Sequence, residues 1–374
     1  MSDARLLHAR KLLADRGLDA LFISNANSRR YLTGYTAEDH PPDESAGVAI
    51  ITADRAVLIT SKNNVDWAKE EAPDWEVVAQ RYPWAIDVAE ILTDVGARRV
   101  GFEEEALSVR DHSEVVKRSG QAWTLIPLEM GVTNLRIIKD QREIDILARA
   151  AAVTDAALHE ALARLDEGMS ELQLQRELED AMRRLGSTGP GFGTIVASGP
   201  NAARPHHATG SRVIEPGEPV VIDMGALWEG YTADLTRTIC LGQPTPMLET
   251  VYNVVLDAQL AVLNGVRGGM LGKDVDALAR DVITAAGYGD RFIHGLGHGV
   301  GLQIHEGPSA GMRSTEADVI EAGMSLTIEP GIYIPEWGGV RTEDLVIITD
   351  DGVINLTTAP KKPAVADMLA GVTQ

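Results

Sequence analysis

The sequence predicts an α+β protein of two domains: an amino-terminal α/β domain over residues 1–132, then a larger domain over residues 133–374 in which helices alternate with β-hairpins. Three observations carry that expectation. At 374 residues the chain is long for one typical domain and comfortable for two. Up to about Gly131, short apolar β-rich runs alternate with helical stretches, the pattern of a layered α/β unit. Beyond it the order is helices, hairpin, helices, hairpin, a weak repeat of structure rather than of sequence.

Residues 2–16 read as an amphipathic helix with Leu6, Leu7, Leu12 and Leu13, closed by Gly17. LDALFISN, GVAIIT, AVLIT, RRVGFEE and WTLIP read as strands, with helical stretches near residues 63–71, 84–95 and 105–119. No glycine-rich phosphate loop joins these elements, which argues against a nucleotide site. Tyr31, Leu32 and Tyr35 read as core. The second domain opens on a long helix beginning near Asp140, with Ile144, Leu147, Ala148, Ala151 and Leu158 as its apolar stripe. Ser170-Glu171-Leu172-Gln173 is a capping-box start for a helix that ends at Gly186. GFGTIVASG reads as a strand, and residues 247–264 and 273–286 as two further helices.

Composition excludes several classes. A net charge of −21 argues against nucleic-acid and anionic-membrane partners. The single cysteine, Cys240, forbids an internal disulfide and suits a reducing compartment; TRTICLG places it in a buried strand. MSDARLLHARKLL lacks an apolar signal core, and no run approaches the roughly 18 apolar residues of a membrane span, so the expected location is the cytoplasm.

The chemistry lies between Val220 and Glu343. VVIDMGALWEGYTADLTRTI is a hairpin around Trp228, Glu229 and Gly230, and side chains two apart on a strand share a face. If Trp228 and Glu229 form the loop, Asp223 lies opposite Asp234; if Glu229 and Gly230 form it, the two are diagonal on one face. Opposed Cβ atoms sit about 4.5–5.5 Å apart. SLTIEPGIYIPEWGGVRTEDLVII is a second hairpin, in which any odd-length loop centred on Glu336 sets Glu329 opposite Glu343. Bare buried carboxylates in pairs repel, and a shared cation removes the conflict. Solvent-facing acidic hairpins are disfavoured because all these positions interrupt apolar strands. In HGLGHGVGLQIHE, His294 and His298 have the four-residue spacing of a helical zinc motif. The glycines between and after them, each costing a helix about 1 kcal/mol relative to alanine, predict an extended segment carrying His298 instead.

Four carboxylates carry four negative charges, which two divalent cations neutralise. With one imidazole beside them, Mn²⁺ or Co²⁺ is expected, with Zn²⁺ or Fe²⁺ as alternatives. Bridging carboxylates let five ligands hold two metals about 3.5–4 Å apart, a pair that acidifies bound water and polarises a carbonyl or phosphoryl oxygen.

The ordered set Asp223, Asp234, His298, Glu329 and Glu343 resembles that of the pita-bread metallopeptidases, the family of prolidase, aminopeptidase P, methionine aminopeptidase and the metal-free creatinase. VVIDMGALWEGYTADLTRT, HGLGHGVGLQIHEGP, TIEPGIYIPEWGGVRTEDL and SGPNAARPHH carry the likeness, over about residues 140–360. It implies a pseudo-symmetric pita-bread catalytic domain behind a creatinase-like amino-terminal domain. NSRRYLTGY is similar to a stretch of that first domain, which in the family packs over the partner's active site and so implies a homodimer. By resemblance Asp223 chelates one metal, His298 the other, Asp234 and Glu343 bridge, and Glu329 is both ligand and general acid–base for a bridging hydroxide. His206 matches the substrate-pocket histidine; His207 beside it departs from the family, and a one-residue slip would swap their roles. His305 would hydrogen-bond the scissile carbonyl, and His294 would orient a ligand or product group. Arg341 shares a strand face with Glu343, where it would hold Asp234 or Glu343 or meet a substrate carboxylate. Tyr333 shares the face of Glu329 and would line the pocket.

The implied reaction is hydrolysis of the amide bond before proline in Xaa-Pro dipeptides or short peptides. The long first domain favours prolidase or aminopeptidase P over methionine aminopeptidase, and the residues leave dipeptidase and longer-peptide activity both open, with a slight lean to the dipeptidase. The complete ligand set counts against a metal-free creatinase-like C–N hydrolase and against a noncatalytic binding module, while hydrolysis of another small amide, such as a cyclic one, stays open. No basic cluster around the hairpins supports a phosphoesterase.

Overall fold

In the computed structural model, which describes residues 2–39 and 44–371, the chain divides into two units, Met1–Arg136 and Ile137–Gln374. The division falls a few residues after position 132 because the 3-10 turn Thr133–Arg136 packs on the first two helices, and Tyr31 donates its hydroxyl to the Leu135 carbonyl at 2.8 Å.

The first unit runs α1 (Ser2–Arg16), β1 (Ala20–Ile23), α2 (Ala26–Thr33), β2 (Gly47–Thr52), β3 (Ala56–Thr60), α3 (Val65–Glu71), β4 (Glu76–Ala79), α4 (Ala85–Asp94), β5 (Arg99–Glu103), α5 (Val109–Ser119) and β6 (Thr124–Leu128). Its strands form one mixed sheet in the order β4-β3-β2-β1-β5-β6. β1 is buried along its whole length, which explains why it reads as a continuous apolar run rather than an alternation. Two elements were not expected. The stretch from Asn27 is helical: the Asn25 side chain accepts from the Asn27 and Ser28 amides, and Gly34 ends the helix in the left-handed region. Tyr31, Leu32 and Tyr35 are buried there. β4 is a short edge strand with no fully buried residue, so it has no apolar pattern to read.

The second unit begins with α6 (Gln141–Leu162), capped by Asp140 and Glu143, and α7 (Glu171–Arg184), capped by Ser170 and Gln173. The buried face of α6 is broader than the expected stripe and turned from it. Ile146, Ala150, Ala157 and Ala161 join Leu147, Ala151 and Leu158, while Ile144 and Ala148 are half-buried. The cause is that α6 packs on α7 and also on the first hairpin. Then come β7 (Ile195–Ser198), β8 (Val220–Met224), β9 (Leu227–Trp228), β10 (Tyr231–Thr232) and β11 (Leu235–Ile239). After α8 (Pro246–Gly265), β12 (Met270–Leu271) and α9 (Gly272–Ala285), the chain forms β13 (Gly297–Gly299), β14 (Glu306–Ala310) and β15 (Val319–Ile320). It continues with β16 (Ser325–Ile328), β17 (Gly331–Ile334), β18 (Gly338–Arg341), β19 (Asp344–Ile348), β20 (Val353–Asn355) and α10 (Val365–Ala370).

Each hairpin is a base ladder continued by a tip ladder: β8/β11 with β9/β10, and β16/β19 with β17/β18. Each is covered by its own helix pair. Leu158 and Leu162 of α6 and Leu174 and Leu178 of α7 meet Ile222, Met224 and Leu235 of the first hairpin. Val251 and Val255 of α8 and Ile283 of α9 meet Leu326, Ile328, Ile332 and Val340 of the second. No described helix is long and apolar enough to cross a membrane.

Candidate metal centre

The first hairpin turns through Glu229 and Gly230, both in the left-handed region at φ 46° and 85°. That turn decides the register. Asp223 stands opposite Thr236, Met224 opposite Leu235 and Leu227 opposite Thr232, so Asp234 falls opposite Gly225 and diagonal to Asp223. Gly225 is required there, because a Cβ at that position would lie 1.7 Å from the Ala233 carbonyl oxygen. In the second hairpin the loop is Pro335, Glu336 and Trp337, with Glu336 at φ 66°. Ile328↔Asp344 and Gly331↔Arg341 share one frame, which sets Glu329 opposite Glu343. Both leave the ladder there. The Glu343 amide donates to the Thr236 carbonyl at 3.0 Å, joining the two hairpins, and the Glu329 amide donates to the Leu296 carbonyl at 3.0 Å.

His298 arrives on β13, whose partner is β14 with a bulge after His298. A Cβ at Gly297 would lie 1.9 Å from the Thr327 carbonyl oxygen, so the glycines around His298 let this strand lie against β16. The His298 amide donates to Thr327 Oγ1 at 2.9 Å.

The side chains converge. Carboxylate oxygens of Asp223, Asp234 and Glu343 lie within 4.8 Å of one another. His298 Nε2 is 3.8 Å from Asp234 Oδ2 and 3.4 Å from Glu329 Oε1. His298 Nδ1 donates to the Gly299 carbonyl at 3.1 Å, which leaves the Nε2 lone pair turned to the carboxylates. Burial, with His305 adding to it, lowers the imidazole to about 4, so it is neutral at pH 7. Burial also raises all four carboxyls. Asp234 is pushed well up by burial and then by the charges of Glu343, Asp223 and Glu329, and Glu343 well up by burial, Glu329 and Asp223. Glu329 rises to about 8 through burial and Asp223, against the pull of Arg341.

The opening beside this cluster is a cavity of about 370 Å³, walled by Phe192, Ile195, Pro205, His206, His294, Ile304, His305, Ser309, Ala310 and Arg341 with the five acidic and imidazole donors. The His298 and His305 rings stand edge to face, 4.3 Å between centroids. Of the adjacent pair, His206 lines the cavity, while His207 Nε2 is taken up by Glu171 Oε2 at 3.1 Å. His294 Nδ1 donates to its neighbour's carbonyl, Gly295 O, at 2.7 Å, and its Nε2 meets the Tyr333 hydroxyl at 2.8 Å.

Two expectations are corrected. Arg341 does not hold Asp234 or Glu343; its Nη2 donates to Asp223 Oδ2 at 2.6 Å, its Nε to Thr236 Oγ1 at 3.0 Å and its Nη1 to the Tyr333 hydroxyl at 3.0 Å. Strand parity gives Arg341 a face, and Asp223 on the neighbouring hairpin is what that face meets. Tyr333 does not line the cavity. It is 3% exposed, and its hydroxyl is shared by Arg341 and His294 behind the wall. Sequence reasoning also missed residues that hold the donors. Thr236 Oγ1 donates to Glu343 Oε2 at 2.6 Å and Thr327 Oγ1 to Glu329 Oε1 at 3.3 Å. Thr236 is two residues from Asp234 and Thr327 two from Glu329, so the same parity would have found them.

Residues 145–350 match metallopeptidase family M24, and residues 5–138 match the creatinase/prolidase N-terminal domain. The chain belongs to metallopeptidase family M24. Over 94% of its length and 97% of the relative's, this M24 chain is 35% identical to the Xaa-Pro dipeptidase of Pyrococcus furiosus. It superimposes with a TM-score of 0.92 on the Xaa-Pro dipeptidase from Bacillus anthracis, at 39% identity over 97% of this chain and 99% of that one. With the X-Pro aminopeptidase from Thermotoga maritima the TM-score is 0.85, at 32% identity over 94% and 99%. The fold is therefore a creatinase-type first domain followed by an M24 catalytic domain, and the protein is a metallopeptidase.

The donor set of this M24 enzyme fits divalent cations. Asp223 Oδ1 is buried and has no hydrogen-bond partner among the described residues. A neutral imidazole lone pair and four carboxyls that resist ionising together complete a set that positive charge would relieve.

Proposed function

We propose that this metallopeptidase hydrolyses the amide bond before proline in Xaa-Pro dipeptides, using two divalent cations held by Asp223, Asp234, His298, Glu329 and Glu343. The observation that carries the reading is the convergence of those five donors on one cavity, in an M24 chain matching two Xaa-Pro dipeptidases along nearly its whole length. Bound there, the cations supply Lewis acidity and lower the pKa of water.

The chain's own groups do the rest. Glu329 moves a proton from the attacking water to the leaving nitrogen. In an Xaa-Pro bond that nitrogen is tertiary and has no hydrogen, so it departs only if a proton is delivered to it. His305, on the cavity wall, donates a hydrogen bond to the scissile carbonyl oxygen. Arg341 also lines the cavity but is engaged with Asp223, Thr236 and Tyr333, so His206 is read as the group that grips the substrate at the prolyl end. His294, Tyr333 and Arg341 act on the substrate side through the Asp223 chain of hydrogen bonds rather than as free hands.

Four carboxylates to one imidazole favour Mn²⁺ or Co²⁺ over Zn²⁺ or Fe²⁺. The reading further takes the enzyme as a cytoplasmic homodimer without nucleic-acid or membrane partners. Likeness to an X-Pro aminopeptidase keeps longer Xaa-Pro peptides as the second reading.

The test is to incubate metal-loaded protein with Ala-Pro and with Ala-Pro-Ala, alongside Asp234→Asn. Cleavage of the dipeptide, lost in the variant, is expected. Preference for the tripeptide moves the enzyme to the aminopeptidase reading. No cleavage of either peptide, with metal bound, overturns the substrate assignment.

A further inference from the structure

One buried carboxylate gathers hydrogen bonds from both sides of the turn that carries His206. Glu171 is the first residue of α7, and its side chain is fully buried. Its Oε1 accepts from the Ser198 amide at 2.7 Å, the Ser198 hydroxyl at 2.8 Å and Asn201 Nδ2 at 2.9 Å. Its Oε2 accepts from His207 Nε2 at 3.1 Å and the Gly210 amide at 3.2 Å. All these donors lie between the last residue of β7 and the start of β8, on both sides of His206. Between Asn201 and His207 the chain makes a tight turn, closed by the His207 amide on the Arg204 carbonyl at 3.1 Å, with Pro205 and His206 at its tip. The Pro205 carbonyl accepts from Arg341 Nη1 at 3.3 Å. The tip is thus fixed at three points, and two of them, Asn201 and His207, end on the same carboxylate.

We propose that Glu171 is the positioning residue for His206, and that its hold on His207 decides which of the two adjacent histidines faces the cavity. The physical reason is a choice between near-equal rings. The two rings are chemically identical, and the buried acceptor on the far side of the loop takes His207 out of the cavity. A carboxylate can accept from several donors at once, which an amide side chain in its place cannot do without turning an N–H toward either His207 or Gly210. The proposal deepens the function above and rests on its reading of His206 as the group that touches substrate.

The experiment is a double-mutant cycle on kcat/KM for Ala-Pro with Mn²⁺-loaded protein, using Glu171→Gln, His206→Ala and the pair together. Metal content and unfolding midpoint are followed in each. His206→Ala is expected to lower kcat/KM, and Glu171→Gln to lower it by about tenfold, mainly through KM, as the loss of a hydrogen bond to a charged group does. In the His206→Ala background, Glu171→Gln should then change kcat/KM by less than about twofold, the scatter expected of independent sites. A loop that merely stabilises the fold would cost the same factor in both backgrounds, and that result overturns the proposal while leaving His206 as a substrate group. A Glu171→Gln protein with unchanged kcat/KM also overturns it. If His206→Ala is itself silent, the reading of His206 fails, and the role of Glu171 fails with it. Should Glu171→Gln not fold, His207→Ala takes its place in the cycle, with the same two outcomes.

Discussion

Arg341 Nη2 and Asp223 Oδ2 lie 2.6 Å apart, with the arginine 2% exposed and the aspartate turned into the cavity. The pair couples β18 of the second hairpin to β8 of the first, and it leaves Asp223 Oδ1 without a hydrogen-bond partner among the described residues. The guanidinium reaches Thr236 and Tyr333 at the same time. A lysine keeps the charge and loses the fork. Arg341→Lys is therefore expected to lower the unfolding midpoint by several degrees and to weaken metal binding, since one ammonium cannot keep the bonds to Asp223, Thr236 and Tyr333 together and a buried hydrogen bond to a charged group is worth about 1.5–3 kcal/mol. Calorimetric metal titration and thermal unfolding read both effects; a variant matching the parent in each would show that the fork does not shape the site.

The acidic cluster makes the stability of the metal-free protein depend on pH in an unusual direction. Glu329 rises from its usual 4.5 to about 8 in the fold, so the native state holds a proton that the unfolded chain has released. The unfolded state then binds fewer protons over that interval, and the contribution of this group to stability falls as pH rises from about 4.5 to about 8. In chelator, Glu329→Gln should unfold at a higher temperature than the parent near pH 8, with the gap closing towards about pH 5. Saturating Mn²⁺ should reverse the order, because metal at about 100 times its dissociation constant adds about 2.7 kcal/mol to a protein that binds it. A parent that is no less stable than the variant at the higher pH in chelator would refute the electrostatic account.

Much of this centre was legible because strands obey a period of two. Asp223, Asp234, Glu329 and Glu343 interrupt apolar runs, and their parity alone predicted a common face. What parity does not contain is which partner lies across that face. It could not choose between the two turns around Glu229, because the answer needs a non-glycine residue at φ 46°. Nor could it assign Arg341 to Asp223, or set Tyr333 behind the wall. Glu171 was visible only as part of a capping box, since its partners lie 27 to 39 residues away in sequence. In the first domain, α2 was missed because its short run Asn27–Thr33 carries more polar than apolar residues, and its caps are the clearest signal it offers.

Lys139 and Glu306 form an ion pair at 2.6 Å with 0% and 1% of their side chains exposed. Glu306 directly follows His305, so the pair fastens one end of the segment that carries that ring. Lys139→Met takes the cation from a buried carboxylate and should cost about 3–5 kcal/mol. Adding Glu306→Gln to it should restore part of the loss. Denaturant unfolding of the two variants measures both steps, and a double variant no more stable than Lys139→Met would show that the charge is not the cause.

Gly225→Ala should be among the most damaging single substitutions in the catalytic unit. Its methyl would lie 1.7 Å from a backbone oxygen that cannot move without opening the first hairpin. A loss above about 4 kcal/mol is expected, with a fall in bound metal as Asp234 is displaced. Soluble yield and metal stoichiometry test this, and a stable variant with full metal would contradict the register assigned to Asp234.

The hydrogen bond from the Glu343 amide to the Thr236 carbonyl has a consequence for how the enzyme comes into being. Neither hairpin holds a complete donor set, and the seam between them closes across more than a hundred residues of chain. A nascent chain or a proteolytic fragment that stops before Glu343 carries Asp223, Asp234, His298 and Glu329 but lacks the fifth donor and this backbone seam, although it keeps the Arg341 contact to Asp223. With the five donors holding metal as proposed, high-affinity capture would belong to the last stage of folding, after both helix pairs have packed on their hairpins. At the proposed site a cation would then act as a latch that closes on finished molecules and passes over partly made ones.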